Sequence, residues 1–377
     1  MAYIMTEEKQ ALVSSIKAFM EKEVKPYVAE YDESGRFPVE IYKKMFEMGL
    51  HCMGIPEEFG GGGLDTMTVA MLMEEMSKVD AGVADTVAGV ELALNTVLIA
   101  GNDEQKKLFS DIVIPGAFAA FALTEPDAGS DAAALKTVAV KEGDEYIIDG
   151  RKCFITNGGV ADIYVVFAMT DKSKGTKGIS AFIVERDRPG LSVGKEENKM
   201  GIRASNTSDV VFENVHIPAD HLLGQEGKGF KYAMQTLDKG RLIAAAMALG
   251  IAQRALDESV SYAKVRKTFG KPIAELQAIR FMLADMDMKI EAARQLMVHG
   301  ITLESMGMPF SREAAMAKCT AGDVAFSVAA DAIQIHGGYG YSREYPVEKL
   351  LRDAKIYQIF EGTNQIQRVV IAGHLLK

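Results

Sequence analysis

The chain has 377 residues, of which 48% are apolar and 25% charged, a balance that excludes a disordered polypeptide and, at this length, calls for two or three domains. A net charge of −10 excludes a non-specific nucleic-acid binder, which needs a basic face, but not a phosphate-bearing ligand, which needs only local cations or helix N-termini. Cys52, Cys153 and Cys319 have none of the close spacings of a metal site and fit a reducing cytoplasm, so no metal centre is expected.

The opening residues, MAYIMTEEKQ, are charged early and lack the apolar centre of a signal peptide. Thr6 followed by Glu7 and Glu8 starts a helix with Leu12, Ile16, Phe19 and Met20 on one face and Pro26 near its end. Phe37-Pro38 precedes a second helix (Ile41, Met45, Phe46, Met48). The glycines Gly60 to Gly63 read as a loop without the flanking strand and helix of a dinucleotide-binding turn. Helical period resumes over about 67–79 and 83–100. No run is expected to reach the length of a membrane span; the most apolar stretch, 242–252, is about half of what a bilayer requires. The 21 methionines read as adaptable core filling.

The pattern changes near Ala119. Short β-branched and aromatic runs then alternate with turns: 146–148 before Asp149-Gly150, then 163–168, 179–184 and 210–217. They predict a compact β-barrel or sandwich. From about Gly227 longer helical patterns return over 230–265, 274–306, 312–336 and 346–376, with apolar faces suited to a four-helix bundle. The expected architecture is a multidomain α+β chain: an N-terminal helical domain over 1–118, a middle β-barrel domain over 119–226 and a C-terminal four-helix bundle over 227–377.

The last of these patterns carries chemistry. Val347, Leu350, Leu351, Ala354 and Ile359 keep a helical period from Pro346 up to Phe360; Gly362 breaks it, and Thr363 caps a new helix bearing Ile366, Val369, Val370 and Gly373 on one face. Glu361 lies in the joint. Beside Ile359 and Phe360 its carboxylate is partly desolvated, which raises its pKa towards that of a general base. The free N–H groups of the joint are donors for a carbonyl on which negative charge develops, an arrangement suited to proton abstraction beside a thioester. A surface-loop Glu before an amphipathic helix would carry the same residues.

The stretch IFEGTNQIQR (359–368) closely resembles the C-terminal motif of the flavin-dependent acyl-CoA dehydrogenases, of the short- and medium-chain type near the bacterial butyryl-CoA dehydrogenases. That family has the same order of helical, β and four-helix domains, and the resemblance runs along essentially the whole chain. It implies FAD as cofactor, Glu361 as catalytic base with Phe360 and Gly362 next to the substrate, and Thr363 and Gln365 near the FAD phosphates and ribose. FALTEPDAGSD (121–131) leaves a strand for a turn with exposed hydroxyl and N–H groups, which a capped β-turn also explains. It matches a family signature that implies Thr124 and the Leu123 backbone at the flavin, and Ser130 at the flavin or the thioester.

In Phe154-Ile155-Thr156-Asn157 the resemblance puts Phe154, where many members have Trp, on one face of the isoalloxazine, and the Thr156 hydroxyl near its N5. Arg266-Lys267-Thr268-Phe269-Gly270 and Gln334-Ile335-His336-Gly337-Gly338 end two helices. Ordinary C-capping explains them, while the resemblance assigns Arg266, Thr268, Phe269, Gln334 and Gly338 to the dinucleotide half of FAD. Some of these come from a neighbouring subunit in the family, which implies a homotetramer. Asp238 and Arg241, three apart on a helix, read as a solvated or paired charged surface or, by resemblance, as CoA contacts.

The segment 81–94, which lines the deep end of the family's acyl pocket, holds Asp85 and Glu91 but no Arg or Lys, and so disfavours a dicarboxylate such as glutaryl-CoA. Glu91 is expected to face solvent, since a buried unpaired carboxylate is costly; otherwise it sits near the acyl group as a polar contact or second base. The resemblance implies α,β-dehydrogenation of an acyl-CoA, or its reverse, with an electron-transferring flavoprotein as electron partner. The alternative activity uses Glu91 on a cyclohexane- or cyclohexene-carboxyl-CoA. A non-catalytic scaffold is disfavoured by the intact set of Glu361, Thr124, Arg266 and Gln334.

Overall fold

The structure, a computed structural model, describes residues 6–376. The leader reading therefore falls in part on residues 1–5, which lie outside the described residues.

Thr6 caps α1 (Glu7–Phe19), its side chain accepting from the Lys9 N–H. Pro26 does not end this element: the chain passes through a π-helical stretch (Met20–Val24) and a single 3₁₀ turn (Lys25–Tyr27) into α2 (Val28–Ser34). Pro26 sits early in that turn, where a missing N–H leaves no bond unmade. After α3 (Val39–Glu47) the four glycines form a closely packed loop: a Cβ on Gly61 would collide with the Ile55 carbonyl.

Asp65 caps α4 (Thr66–Val79), and Asp80 caps α5 (Ala81–Ala100) by accepting from the Val83 N–H at 2.9 Å. The sequence reading underrates α5. It is long and apolar enough to cross a bilayer, with a mean hydropathy of 1.5 over its best window, yet 72% of that window is buried inside the protein. The helix is apolar on nearly every side because other elements surround it. A short α6 (Asp103–Val113) follows under a reciprocal Asn102–Gln105 cap; it buries only Gln105, Phe109, Ser110 and Val113, too sparse a stripe to stand out in the sequence.

The middle segment is one seven-stranded sheet. Its strands are β1 (Ala119–Ala122), β2 (Val138–Glu142), β3 (Glu145–Thr156), β4 (Ile163–Met169), β5 (Ile179–Glu185), β6 (Leu191–Glu196) and β7 (Thr207–Pro218), in the order β1-β4-β2-β3-β7-β6 with β5 also on β4. Both faces of β4 are buried. Ile163, Val165 and Phe167 join a core shared with α5 and α6, while Tyr164, Val166 and Ala168 face a second core formed with β3 and β7. This is why β4 reads as a continuous apolar run.

The C-terminal segment is built on α7 (Gly229–Val265), whose central Leu242–Ala252 run is wholly buried against α4, α5 and its bundle partners. The tight hairpin of β8 (Lys267–Thr268) and β9 (Lys271–Pro272) leads to α8 (Gln277–Ser305) and α9 (Ser311–His336). The fourth limb is broken. Helix α10 (Val347–Ile356) ends short of the expected Phe360, and α11 (Asn364–Leu375) begins afresh. A buried charge cluster fixes α10: Lys349 lies 2.5 Å from Asp353 and 3.0 Å from Asp80, and Asp353 accepts from the Ile202 N–H at 2.6 Å. Arg352 forks onto Asp32 beside it.

Candidate active site

The break between α10 and α11 puts Glu361 at φ 55, a left-handed conformation that non-glycine residues adopt only when surroundings compel it. The surroundings are polar and dense. Lys318 of α9 donates to the Gly362 carbonyl (2.7 Å) and to Asn364 Oδ1 (3.1 Å), and Gln367 Nε2 donates to the carbonyls of Glu361 (3.0 Å) and Gly362 (2.8 Å). Asn364 in turn donates to Asp323 and to the Cys319 carbonyl, and Thr363 caps α11 by accepting from the Ile366 N–H. Gly362, at φ 83, leaves room for Gln367, and half-buried Phe360 meets the Tyr357 ring edge-on at 4.9 Å.

Held this way, the Glu361 side chain points back over α7. A Cβ on Gly240 would stand 2.9 Å from Glu361 Oε2 and 2.8 Å from Leu92 Cδ1, so the carboxylate rests on a bare helix backbone beside α5. Oε2 is buried and has no hydrogen-bond partner. Burial raises the Glu361 pKa to about 7; Arg241 and Lys318 pull the other way, and Asp85 adds a small upward push. The backbone N–H of Glu361 finds no acceptor among the described residues. One residue thus carries both a buried oxygen without a partner and a backbone donor without an acceptor.

The facing wall comes from α5 and the sheet. Between Ala81 and Val97 only Ala88 and Leu92, one turn apart, are not fully buried. Their stripe leads to Gly89, where a Cβ would press on the Thr156 methyl and the Asn157 amide. Thr156 Oγ1 donates to Asp85 Oδ2 at 3.4 Å, Ser205 donates to the same oxygen, and burial lifts Asp85 to about 6. Phe154 stands at φ 55 and is 65% exposed as a residue. Thr124 and the buried Leu123 lie at the end of β1, tied by Lys152 of β3, which donates to the Leu123 carbonyl (3.1 Å) and pairs with Glu125 (2.7 Å) in the interior. Ser130 is exposed beyond that turn.

Glu91 does not face solvent. It is 5% exposed and accepts from the Gly54 N–H at 2.9 Å, and burial lifts its pKa to about 7. The loop carrying Gly54, distant in sequence, folds over α5 and supplies a donor that the sequence of α5 does not reveal. Asp238 and Arg241 take the paired form of the charged surface rather than the solvated one: they lie 2.6 Å apart, Ser311 donates to the same Asp238 oxygen, and Arg241 is buried beside Glu361.

The remaining residues form other groups. Arg266 and Gly338 line a shallow cavity of about 430 Å³ with His336 and Tyr339, and the Arg266 guanidinium lies over the Tyr339 ring. Exposed Gln334 lies one turn before the glycines, and Thr268 and Phe269 belong to the β8–β9 hairpin, where Phe269 is 91% exposed. From Gly240 to Val265 α7 rises roughly 38 Å, so this group stands far from Glu361. Thr363 and Gln365 line a second cavity of about 380 Å³ with Asn364, Lys355 and Arg368. Lys318, Gly240, Gln367 and Lys152 escaped the sequence reading. A lysine inside the small-residue run AAMAKCTAG and a glycine in mid-helix were the signals available.

Family models match in all three segments: "Acyl-CoA dehydrogenase, N-terminal domain" over 6–114, "middle domain" over 120–215 and "C-terminal domain" over 227–376. The solved butyryl-CoA dehydrogenase from Megasphaera elsdenii superposes with a TM-score of 0.97 at 48% identity, covering 100% of both chains. A chain of the structure described as "Electron transferring flavoprotein of Acidaminococcus fermentans: Towards a mechanism of flavin-based electron bifurcation" does so with the same TM-score of 0.97, identity of 48% and coverage of 100% on both sides. The "Acryloyl-CoA reductase (NADH)" of Anaerotignum propionicum is 46% identical over 100% of this chain and 96% of its own. The chain therefore belongs to the acyl-CoA dehydrogenase family, the flavin-dependent oxidoreductases that act on acyl-CoA thioesters.

Proposed function

We propose that this enzyme binds FAD and removes the Cα proton of a short, unbranched acyl-CoA with Glu361 while hydride leaves Cβ, forming the 2,3-enoyl thioester. The observation that carries the reading is the Glu361 carboxyl: its Oε2 is buried without a partner, and its pKa is raised to about 7 where it rests beside Leu92 and Gly240. A base whose pKa lies near the working pH takes a proton readily and is still ionised enough to do so. The free Glu361 N–H suits the thioester carbonyl, where it would stabilise the enolate-like charge. A substrate of butyryl size agrees with the Megasphaera relative, and no lysine or arginine lies on α5 to hold a distal carboxylate.

The residues present fit a flavin. An aromatic residue left 65% exposed at a strained backbone position is unusual unless something covers it, and Phe154 stands beside Thr156 and near the strand end that carries Leu123 and Thr124. Those residues, with Ser130, would hold the isoalloxazine; bound FAD supplies the two-electron acceptor. Thr363 and Gln365 would serve its middle portion. Arg266, Thr268, Phe269, Gln334 and Gly338 lie too far along α7 for one cofactor to meet both them and Glu361, which supports their serving a neighbouring subunit's FAD in a homotetramer. The exposed Phe269 and Tyr341 fit such a contact. Electrons would pass to or from an electron-transferring flavoprotein, in keeping with the Acidaminococcus structure, and the reductase relative fits a reversible overall reaction. Three buried free cysteines suit the cytoplasm.

The test is anaerobic mixing of the flavin-loaded enzyme with butyryl-CoA. E361Q should keep its flavin spectrum and lose nearly all of the bleaching; wild-type bleaching by this variant would reject Glu361 as the base.

A further inference from the structure

We propose that Lys318 is a positioning residue for the dehydrogenation: through the Gly362 carbonyl it fixes the turn that carries Glu361, and through its charge it sets the pH at which Glu361 becomes an active base. The inference rests on Glu361 being that base.

Lys318 is 1% exposed in a stretch of α9 whose other buried residues are small, among them Ala314, Ala317, Cys319 and Ala321. Its ammonium makes hydrogen bonds to the Gly362 carbonyl (2.7 Å) and to Asn364 Oδ1 (3.1 Å). Both acceptors are neutral. No carboxylate lies within ion-pair distance of it among the described residues, whereas of the other buried lysines Lys152 has one and Lys349 two. A buried cation held only by neutral acceptors is costly, and burial lowers its pKa to about 8, with Glu361 the largest opposing influence.

The other charges near the pair are already engaged. Arg241 is bound to Asp238, and Asp323 is matched by Arg368 and accepts from Asn364 and Gln358. Cys319 adjoins Lys318 as a buried thiol whose pKa burial raises, and Asp85, lifted to about 6, faces Glu361 from α5. Lys318 is thus the cation near Glu361 whose charge no carboxylate of its own cancels. Removing it disfavours the ionised form of Glu361, which moves the onset of base activity to higher pH.

The experiment follows the initial rate of anaerobic flavin bleaching by limiting butyryl-CoA from pH 5 to 9. It compares the FAD-loaded wild type with K318Q, which keeps a donor for Gly362 but no charge, and K318M, which keeps neither. Both variants should show the acid limb displaced upward by about one pH unit, and K318Q should retain more of the high-pH rate than K318M. A merely structural lysine would lower the rate without moving the limb. A limb that coincides with wild type in K318Q therefore overturns the proposal, and K318Q decides the question if K318M does not fold. E361Q in parallel separates the two readings, because rapid bleaching by that variant removes the base itself.

Discussion

Gly240 lies directly beneath Glu361, so close that a single added methyl would stand 2.9 Å from the carboxylate oxygen. G240A should therefore displace the base while leaving the fold intact, since alanine favours a helix interior by about 0.5–1 kcal/mol over glycine. A shift of about 1 Å at a reacting group costs on the order of 100-fold in rate. Stopped-flow bleaching should show a loss of about 10- to 100-fold with an undiminished melting temperature. Wild-type rates would mean that the carboxylate works from another position.

The raised pKa values of Glu361 and Glu91 have a stability counterpart. In each, the folded value of about 7 exceeds the ordinary 4.5, so between those pH values the folded state binds more protons than the unfolded one. Stability then falls as pH rises through this window, and the penalty is complete above about 7. E361Q and E91Q should melt higher than wild type at pH 8 and no higher at pH 4. For Glu91 the gain should be about 1–3 kcal/mol, because glutamine keeps an acceptor for the Gly54 N–H. Equal melting at pH 8 would show that Glu91 is stabilised by something besides that one bond.

The same E91Q protein tests the alicyclic alternative. With Glu361 as the base, E91Q should bleach with butyryl-CoA at close to the wild-type rate and should be no more impaired with cyclohexanecarboxyl-CoA. A selective loss on the ring substrate would instead make Glu91 a second base.

Lys349 separates two buried carboxylates, Asp80 and Asp353. Removing its charge in K349M leaves both unmatched in the interior and should cost about 3–5 kcal/mol in urea unfolding, a loss that 1 M salt reduces little because the three groups are buried. A cost below about 1 kcal/mol would show that the two carboxylates take up protons at little expense.

Phe154 combines an exposed ring with backbone strain. F154G should relieve the strain, leaving the flavin-free protein as stable as before or more so, yet it should weaken flavin retention about tenfold, as expected for the loss of a stacked ring. Equilibrium dialysis against FAD measures the second effect. Undiminished affinity would show that the ring covers something other than the cofactor.

Periodicity places Glu361 in a joint because a helical pattern ends and restarts on either side of it, and the resemblance of 359–368 to the family motif singles it out as the base; both signals are local. What keeps the residue in place is not local. Lys318 on α9 and the bare surface at Gly240 on α7 come from other parts of the chain, and no spacing rule joins them to Glu361. Glu91 shows the same limit: its neighbours on α5 say nothing of the Gly54 N–H that binds it. The break in the fourth limb also comes earlier than its apolar pattern, since Ile359 and Phe360 continue the period while bonding back to the Ile356 carbonyl outside any helix. For α5, apolar residues on all sides could not distinguish a membrane span from the middle of a folded protein; only its neighbours could.

The tethering of α10 has a consequence for how the enzyme comes into being. That helix is anchored at Lys349 to the cap of α5 and at Asp353 to the backbone of Ile202, and it delivers the chain directly to Glu361. A truncated C-terminal bundle would therefore possess the reactive side chain without the means to aim it. During synthesis, competence should arise in a single late event, when the last helical limb docks onto the two segments made before it.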